Sequence, residues 1–333
     1  MTASFPVLGF DIGGTKIAVC LGCSDGKIIA SGRVDNKERH PDDVLPELVA
    51  LGRQLLADAG MTSTDLTAVG ISAPAPHDIP GGRITQPTNM KKWVDVPIRD
   101  YLRDAFATTA YMDNDANAGA LAEWFFGTGK KCRNLLYLTM STGIGGGIIT
   151  NGRLVHGHDY LAGEVGHFSI DPDGPQCNCG IRGCYEAFCG GRAMAQRMQR
   201  ELAGQPDHPI VRYANGNYDA IDMICLEKAV RDGDAYAVAL WDEMCRRNAQ
   251  GIGGLINIFN PEMIVLGTIA WAAGDLFMTP LQQYLPQFCW PVQLRGCRVI
   301  PSGLKRRIGD YAGISVALNY LYEQDRFQPW QEQ

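Results

Sequence analysis

No stretch of the chain approaches the roughly 18 uninterrupted apolar residues that a membrane-spanning helix needs. Nor does the N-terminus carry a basic segment leading into an apolar one. Both absences argue against a membrane-spanning or exported chain and predict a cytoplasmic one. An excess of positive charge is also missing: 30 Lys and Arg stand against 36 Asp and Glu, a net charge of -6. Such a surface has no global attraction for a polyanion, which leaves a local basic patch as the only route to nucleic acid. The eleven cysteines are an odd number, and in a cytoplasmic protein thiols stay reduced unless a metal or catalysis claims them. Eight of them (Cys20, Cys23, Cys132, Cys189, Cys225, Cys245, Cys289 and Cys297) lie mostly in apolar surroundings and are expected to be core thiols.

What is present is apolar sequence in quantity, 46% of 333 residues, enough for a large core and most simply for two domains. The run Asp11-Ile12-Gly13-Gly14-Thr15-Lys16 lies between apolar segments 7–10 and 17–21 and reads as strand, tight turn and strand. Adjacent glycines bring backbone N–H groups close to a bulky anion, Thr15 and Lys16 add a hydroxyl and a cation, and Asp11 has the charge to hold magnesium. A P-loop is the competing phosphate motif, but it ends Gly-Lys-Ser/Thr and opens a helix. An ordinary Gly-Gly hairpin turn is the plainer alternative and stays open on this segment alone.

Further along, Val44, Leu48, Leu51 and Leu55 predict an amphipathic helix over 41–60, followed by a strand over 67–72. Residues 74–93 read as a turn-rich loop exposing Asp78, Arg83, Thr88 and Asn89. A helix at 98–106, a strand at 110–112 and a helix from 117 to about 126 come next. The pattern then restarts with a strand at 135–140, a glycine turn at 143–147 and a strand at 148–149, which resembles an internal duplication. Beyond 190 the chain is expected to be mainly helical, with a loop at 204–217, strands at 263–266 and 298–301, and a closing helix over 308–322.

Four groups of residues carry chemistry. His167 followed by Cys177, Cys179 and Cys184 supplies one imidazole and three thiolates, a tetrahedral zinc set with no open position and therefore structural. The cluster Asp113-Asn114-Asp115-Ala116-Asn117 sits where a strand gives way to a helix, the edge at which α/β sheets bind ligands. There Asp115 could take a proton from a hydroxyl and Asn114 could both donate and accept, while one of the group could simply cap the helix. The hydroxyls and glycines from Thr139 to Gly147 offer a second phosphate cradle. Glu164 and Glu186 flank the zinc segment and could accept vicinal sugar hydroxyls, although either alone reads equally as a solvated charge.

With these segments assembled, the chain resembles the ROK family (repressors, open reading frames and sugar kinases) over almost its whole length. The residues that carry the resemblance are 11–16, 114–117, 141–147, Gly163-Glu164-Val165-Gly166-His167 and 177–186. It implies an α/β two-domain actin/hexokinase-type (ribonuclease H-like) fold with a zinc-binding loop, the domains closing over ATP and sugar. The first domain would comprise 1–117 plus 310–333 and the second 118–309. By position, Asp115 would be the catalytic base acting on a sugar O6 hydroxyl. Asn89, Asn114, Glu164, His167 and Glu186 would contact the sugar, His167 using its other ring nitrogen for zinc. Asp11, Gly13, Gly14, Thr15, Lys16, Thr142 and Gly143 would serve the phosphates and their Mg2+, and Gly267 would lie near the adenosine.

Glucose is the expected hexose, from a likeness of 184–188 and flanking loops to the glucokinase branch. N-acetylmannosamine, N-acetylglucosamine, allose and fructose are the alternatives. A sugar-responsive repressor or silent sensor is a more remote expectation, because only ten residues precede Asp11 where such repressors carry a DNA-binding domain. The resemblance further implies a homodimer or larger homo-oligomer, while the acidic balance and the lack of a long apolar run predict no nucleic-acid or membrane partner. Three departures from the family pattern, at Pro74-Ala75-Pro76, Ser141 and Leu266-Gly267-Thr268, remove no proton-transfer or metal-binding group.

Overall fold

The structure is a computed structural model that describes residues 4–87 and 89–329; Thr88 of the loop named above lies outside them. The elements run β1 (Pro6–Ile12), β2 (Lys16–Cys23), β3 (Ile28–Asp35), α1 (Pro41–Asp58), β4 (Ala68–Ala73), β5 (His77–Asp78), β6 (Arg83–Ile84), α2 (Ile98–Phe106), β7 (Ala110–Asn114) and α3 (Asp115–Phe125). They continue with β8 (Leu135–Met140), β9 (Ile144–Thr150), β10 (Arg153–Leu154), α4 (Tyr185–Cys189), α5 (Gly191–Glu201), α6 (Pro209–Tyr213), α7 (Met223–Arg231) and α8 (Ala235–Phe259). The chain closes with β11 (Met263–Leu266), α9 (Thr268–Ala273), α10 (Asp275–Tyr284), α11 (Pro291–Gly296), β12 (Arg298–Pro301) and α12 (Ile308–Glu323).

Two five-stranded sheets have matching orders, β3-β2-β1-β4-β7 and β10-β9-β8-β11-β12. In the first, β1 pairs antiparallel with β2 and parallel with β4, which pairs parallel with β7. In the second, β11 pairs parallel with both β8 and β12. The strand orders thus repeat the duplication suggested by the two glycine hairpins.

Two compact units emerge, one of residues 1–133, 147–160 and 303–333, the other of 134–146 and 161–302. This division differs from the expected 1–117 plus 310–333, since α3 and residues 147–160 fall in the first unit. The reason is packing: Ala118 of α3 is buried with Ala312 and Val316 of α12, so small side chains hold the two helices together.

In the first unit, α1 packs on β2 and β3 and α2 on β7, over a core that includes Leu8, Phe10, Val19, Leu48, Ile71 and Phe106. Helix α12 packs on β1 and β4. Its approach is close enough that a Cβ on Gly70 would overlap the Gly313 carbonyl oxygen and lie 2.8 Å from the Ala317 nitrogen. In the second unit α8 is the central helix, begun by the Asp234 carboxylate accepting from the Ala237 N–H at 2.9 Å and ended at Asn260 in the left-handed region. Tyr185, wholly buried, donates to Asn248 Oδ1 at 2.7 Å and fastens α4 to α8.

Three expectations change. Helix α3 starts at Asp115, two residues early, because Asn114 Oδ1 accepts from the Asn117 N–H at 2.6 Å and caps it. Glycines 145–147 lie inside β9, where the Gly146 N–H donates to Gly163 O at 3.0 Å, so the turn itself is 141–143. Residues 204–217 contain α6, opened by Pro209 at its first position and His208 as cap. Among the eight cysteines left outside the zinc set, all are buried except half-buried Cys23.

Gly70→Ala should lose about 3 kcal/mol or more, because backbone atoms surround the new methyl and none can swing away. Gly296→Ala, whose Cβ would meet nothing within 4 Å, should change stability by less than about 1 kcal/mol. Urea unfolding of both variants compares the two sites, and an unperturbed Gly70→Ala would contradict the packing of α12.

Candidate functional site

The first glycine turn joins β1 to β2, and Asn36 organises it from beneath. Its side-chain Nδ2 donates to Gly13 O at 2.8 Å, its backbone N–H donates to Thr15 O at 2.8 Å, and its side-chain Oδ1 accepts from Trp93 Nε1 at 3.2 Å. Asn36 is buried, whereas Thr15 and Lys16 are exposed and available to an incoming anion. A Cβ on Gly14 would stand 2.8 Å from the Asn89 side-chain nitrogen, so glycine is what lets the loop asparagine and the turn come together. Asp78 and Arg83 of that loop serve its shape: Asp78 Oδ1 accepts from the Gly81 N–H at 2.9 Å, and Arg83 pairs with Asp95 at 2.8 Å.

Asp11 is half-buried at the mouth of the turn and accepts from Ser72 Oγ at 2.7 Å. Loss of hydration pushes its carboxyl up to about 6 against that hydrogen bond; Asp115 and Asp310 add repulsion, and Arg33 relieves part of it. The Asp11 carboxylate is a hard oxygen donor beside a glycine turn, the kind of ligand that suits magnesium.

Asp113 to Asn117 form the second part of this unit. Asn114 is buried and its side-chain carbonyl caps α3, which leaves its amide N–H groups and the second lone pair of that oxygen for a ligand. Residues 112–125 are all buried with the single exception of Asp115. Asp113, to which sequence reasoning gave no role, is 1% exposed and accepts from the Asn114 N–H and from Asn117 Nδ2, both at 2.8 Å.

In the second unit the turn 141–143 is tied to the starts of α4 and α5. Glu186 Oε2 accepts from the Ile144 N–H at 2.7 Å, and the Gly191 and Arg192 N–H groups donate to Ser141 O and Thr142 O, each at 2.9 Å. Thr142 is exposed. One oxygen of Glu186, expected as a sugar ligand, is thus engaged in shaping the Thr142-Gly143 turn. Gly267, buried at the end of β11, donates its N–H to Leu138 O at 2.8 Å and precedes α9.

His167 Nδ1, Cys177 Sγ, Cys179 Sγ and Cys184 Sγ offer ligand atoms that all lie within 4.8 Å of one another. Cys177 Sγ is 3.7 Å from His167 Nδ1 and Cys179 Sγ is 3.5 Å from Cys184 Sγ. Tetrahedral zinc with bonds of about 2.0–2.3 Å sets its ligand atoms about 3.5–3.8 Å apart, so the four residues fit that ion. With Nδ1 turned to the thiols, His167 Nε2 faces away and lies 4.0 Å from exposed Glu164. Burial pushes the Cys184 thiol up to about 12, so a thiolate there depends on a bound cation and metal uptake releases its proton.

Paired mixed sheets of matching order, each with a strand-turn-strand hairpin, place the chain among α/β proteins of the actin/hexokinase-like two-domain kinase fold. Residues 7–311 match the ROK family, and the chain belongs to that family. It is 32% identical over 311 residues to a Thermotoga maritima glucokinase, covering 93% of this chain and 96% of that one. It is 30% identical over 302 residues to a Caldicellulosiruptor bescii xylose repressor, covering 90% of this chain and 75% of that protein. The crystal structure of a ROK family glucokinase from Streptomyces griseus, in complex with glucose and AMPPNP, superposes with a TM-score of 0.75 at 28% identity, covering 94% of this chain and 98% of that one.

Asp11 titrates higher in the folded chain than its ordinary value, so the native state holds the extra proton between about pH 4 and 6 and stability falls as pH rises through that window. Asp11→Asn removes the penalty and should stabilise the protein by about 3 kcal/mol above pH 7, with the gain vanishing below about pH 4. Urea midpoints for both proteins across pH 4–8 measure it, and a gain independent of pH would rule out Asp11 as its source.

Proposed function

We propose that the protein is an ATP-dependent sugar kinase that phosphorylates a hexose at O6, with glucose as the first choice of acceptor. The observation that carries this reading is Asp115, the one exposed residue in an otherwise buried run, set at the end of a parallel strand and the start of a helix. The glucokinase from Thermotoga maritima and the glucose and AMPPNP complex of the Streptomyces griseus protein support the choice of sugar and donor.

In this mechanism the sugar hydroxyl lies against Asp115, and its oxygen attacks the γ-phosphorus of ATP in line with the departing ADP oxygen. The proton passes to the Asp115 carboxylate and then to solvent. A carboxylate is a weak base, so Asp115 orients the hydroxyl and takes the proton late. Asn89 and Asn114 in the first unit, and Glu164, His167 Nε2 and Glu186 in the second, are assigned to the other sugar hydroxyls. Backbone N–H groups at Gly13 and Gly14, the side chains of Thr15 and Lys16, and the Thr142-Gly143 turn are assigned to the phosphates, and Gly267 to the adenosine. Magnesium bound at Asp11 would supply positive charge to the transferring phosphoryl group.

We assign zinc to His167, Cys177, Cys179 and Cys184, where it would fix the loop carrying Glu164 and Glu186. The protein is also proposed to be cytoplasmic; no helix among the described residues is long and apolar enough to cross a membrane. Exposed Ile258, Trp290 and Val292 in the second unit support a homodimer or larger homo-oligomer. A repressor or silent sensor is the second reading, favoured by the xylose repressor likeness and opposed by the exposed Asp115.

A coupled ADP-release assay with magnesium-ATP and glucose, N-acetylmannosamine, N-acetylglucosamine, allose, mannose and fructose tests the proposal. Preference for glucose is the expected result, another sugar would move the substrate alone, and no turnover would favour the sensor. Asp115→Asn should lose about 10²–10⁴ in kcat with KM for the sugar within about threefold, and more than about a tenth of wild-type turnover would remove Asp115 from the role. Elemental analysis should find one zinc per chain. Its removal by chelation, or Cys184→Ser, should open the 164–186 region to proteolysis, whereas unchanged protection would separate the loop from the metal.

A further inference from the structure

Asp113 is a buried carboxylate that the proposed chemistry does not use. Of its two oxygens, Oδ1 takes the Asn114 N–H and Asn117 Nδ2, and Oδ2 lies 2.6 Å from His156 Nε2. Asp113 and His156 are 1% and 17% exposed, so water contributes little to either. His156 arrives here because the Val155 N–H donates to Ile148 O at 2.8 Å, which extends the β9–β10 hairpin one step and delivers the next residue beneath β7. Tyr160 and Tyr320 wall the imidazole, with ring centroids at 5.0 and 6.4 Å. Tyr320 is itself stacked on Tyr111 at 4.8 Å, and its hydroxyl donates to Met112 O at 3.4 Å.

We propose that His156 and Asp113 form a positioning pair for the Asp115 carboxylate, holding the 113–117 turn in the one conformation that presents Asp115 to the acceptor hydroxyl. The inference rests on the kinase reading. Its geometric basis is that Asp115 is bracketed by groups fastened to one carboxylate: the backbone of Asn114 before it and the side chain of Asn117 after it. The cap from Asn114 Oδ1 to the Asn117 N–H closes the same turn a second time. His156 supplies the remaining donor, without which Oδ2 is a buried acceptor with no partner from that side and the carboxylate is free to turn away from the loop. Burial alone would lower the basicity of the imidazole, but the hydrogen bond and charge of Asp113, helped by Glu323, outweigh it and raise His156 above its ordinary value. The pair is therefore charge-assisted and directional. His156 does not touch the substrate in this scheme; it acts through Asp113.

The test compares wild type, His156→Phe, which keeps the aromatic packing and removes the donor, and His156→Gln, whose amide restores one. A misplacement of about 1 Å at a reacting group costs up to about 10² in rate. His156→Phe should accordingly lower kcat about 10- to 100-fold with KM for sugar and ATP within about threefold, and His156→Gln should recover to within about fivefold of wild type. Hydrogen exchange should show lost protection at the Asn114 and Asn117 amides in His156→Phe and its return in His156→Gln. If wild type turns over and His156→Phe keeps its kcat while only its melting temperature falls, the pair is structural and this inference fails while the kinase reading stands. If wild type phosphorylates no sugar in the panel, the kinase reading fails and the positioning role falls with it.

Discussion

The approach of helix α12 to strands β1 and β4 is the constraint on which the first unit depends. Gly9, Gly70 and Gly313 remove the side chains that would otherwise separate helix from sheet; a Cβ on Gly9 would lie 2.6 Å from the Ile314 nitrogen. Backbone meeting backbone allows no sliding, because peptide groups have fixed shape where long side chains could repack. The consequence reaches the site directly. Gly309, at the start of α12, is so near Asp11 that a Cβ there would sit 2.7 Å from its Oδ2, and Asp310 pairs with Arg33. The same helix packs on α3, whose first residue is Asp115. One close contact thus locates both the carboxylate assigned to the metal and the one assigned to the proton.

Removing the Asp11 carboxylate from water, with Asp115 and Asp310 adding repulsion, is unfavourable for folding, and its raised pKa records it. Proteins keep such local conflicts where a ligand resolves them, and a cation with polyphosphate would do so here. The surrounding structure holds the conflict in place through groups that are themselves satisfied: Ser72 on Asp11, Asn36 under the glycine turn, and the Asn114 cap together with Asp113 under Asp115. The second unit solves a similar problem with thiols and a glutamate. Its glycine turn is shaped by Glu186 and by the N–H groups of Gly191 and Arg192, and the same short α4 that carries Glu186 follows Cys184 of the clustered His and Cys donors. A metal there would therefore stiffen the segment that shapes the turn.

Most of the local structure was legible because its signals are local. The helix at 98–106 and the strands at 135–140, 263–266 and 298–301 coincide with α2, β8, β11 and β12, each marked by its own apolar pattern. The glycine hairpin and the His-Cys cluster were legible from residue type and spacing, since anion cradles and tetrahedral metal sites demand particular atoms. The start of α3 was misplaced because a cap is a side-chain hydrogen bond and not a hydrophobic period. The glycines of β9 carry no strand signal of their own, because a strand packed against other backbone has the same composition as a bend.

By itself, then, the sequence determined which atoms are available and where secondary structure forms: the two glycine turns, the His and Cys donors, the carboxylates at a strand end and the repeated strand pattern. Only the tertiary structure decided what those atoms do to one another. That Asn36 reaches a turn more than twenty residues away, that Glu186 holds Ile144, and that His156 meets Asp113 all follow from contacts between distant segments. Local propensity sets backbone conformation within a few residues, whereas the partner of a buried polar group is chosen by whichever donor the packing of whole elements brings within about 3 Å.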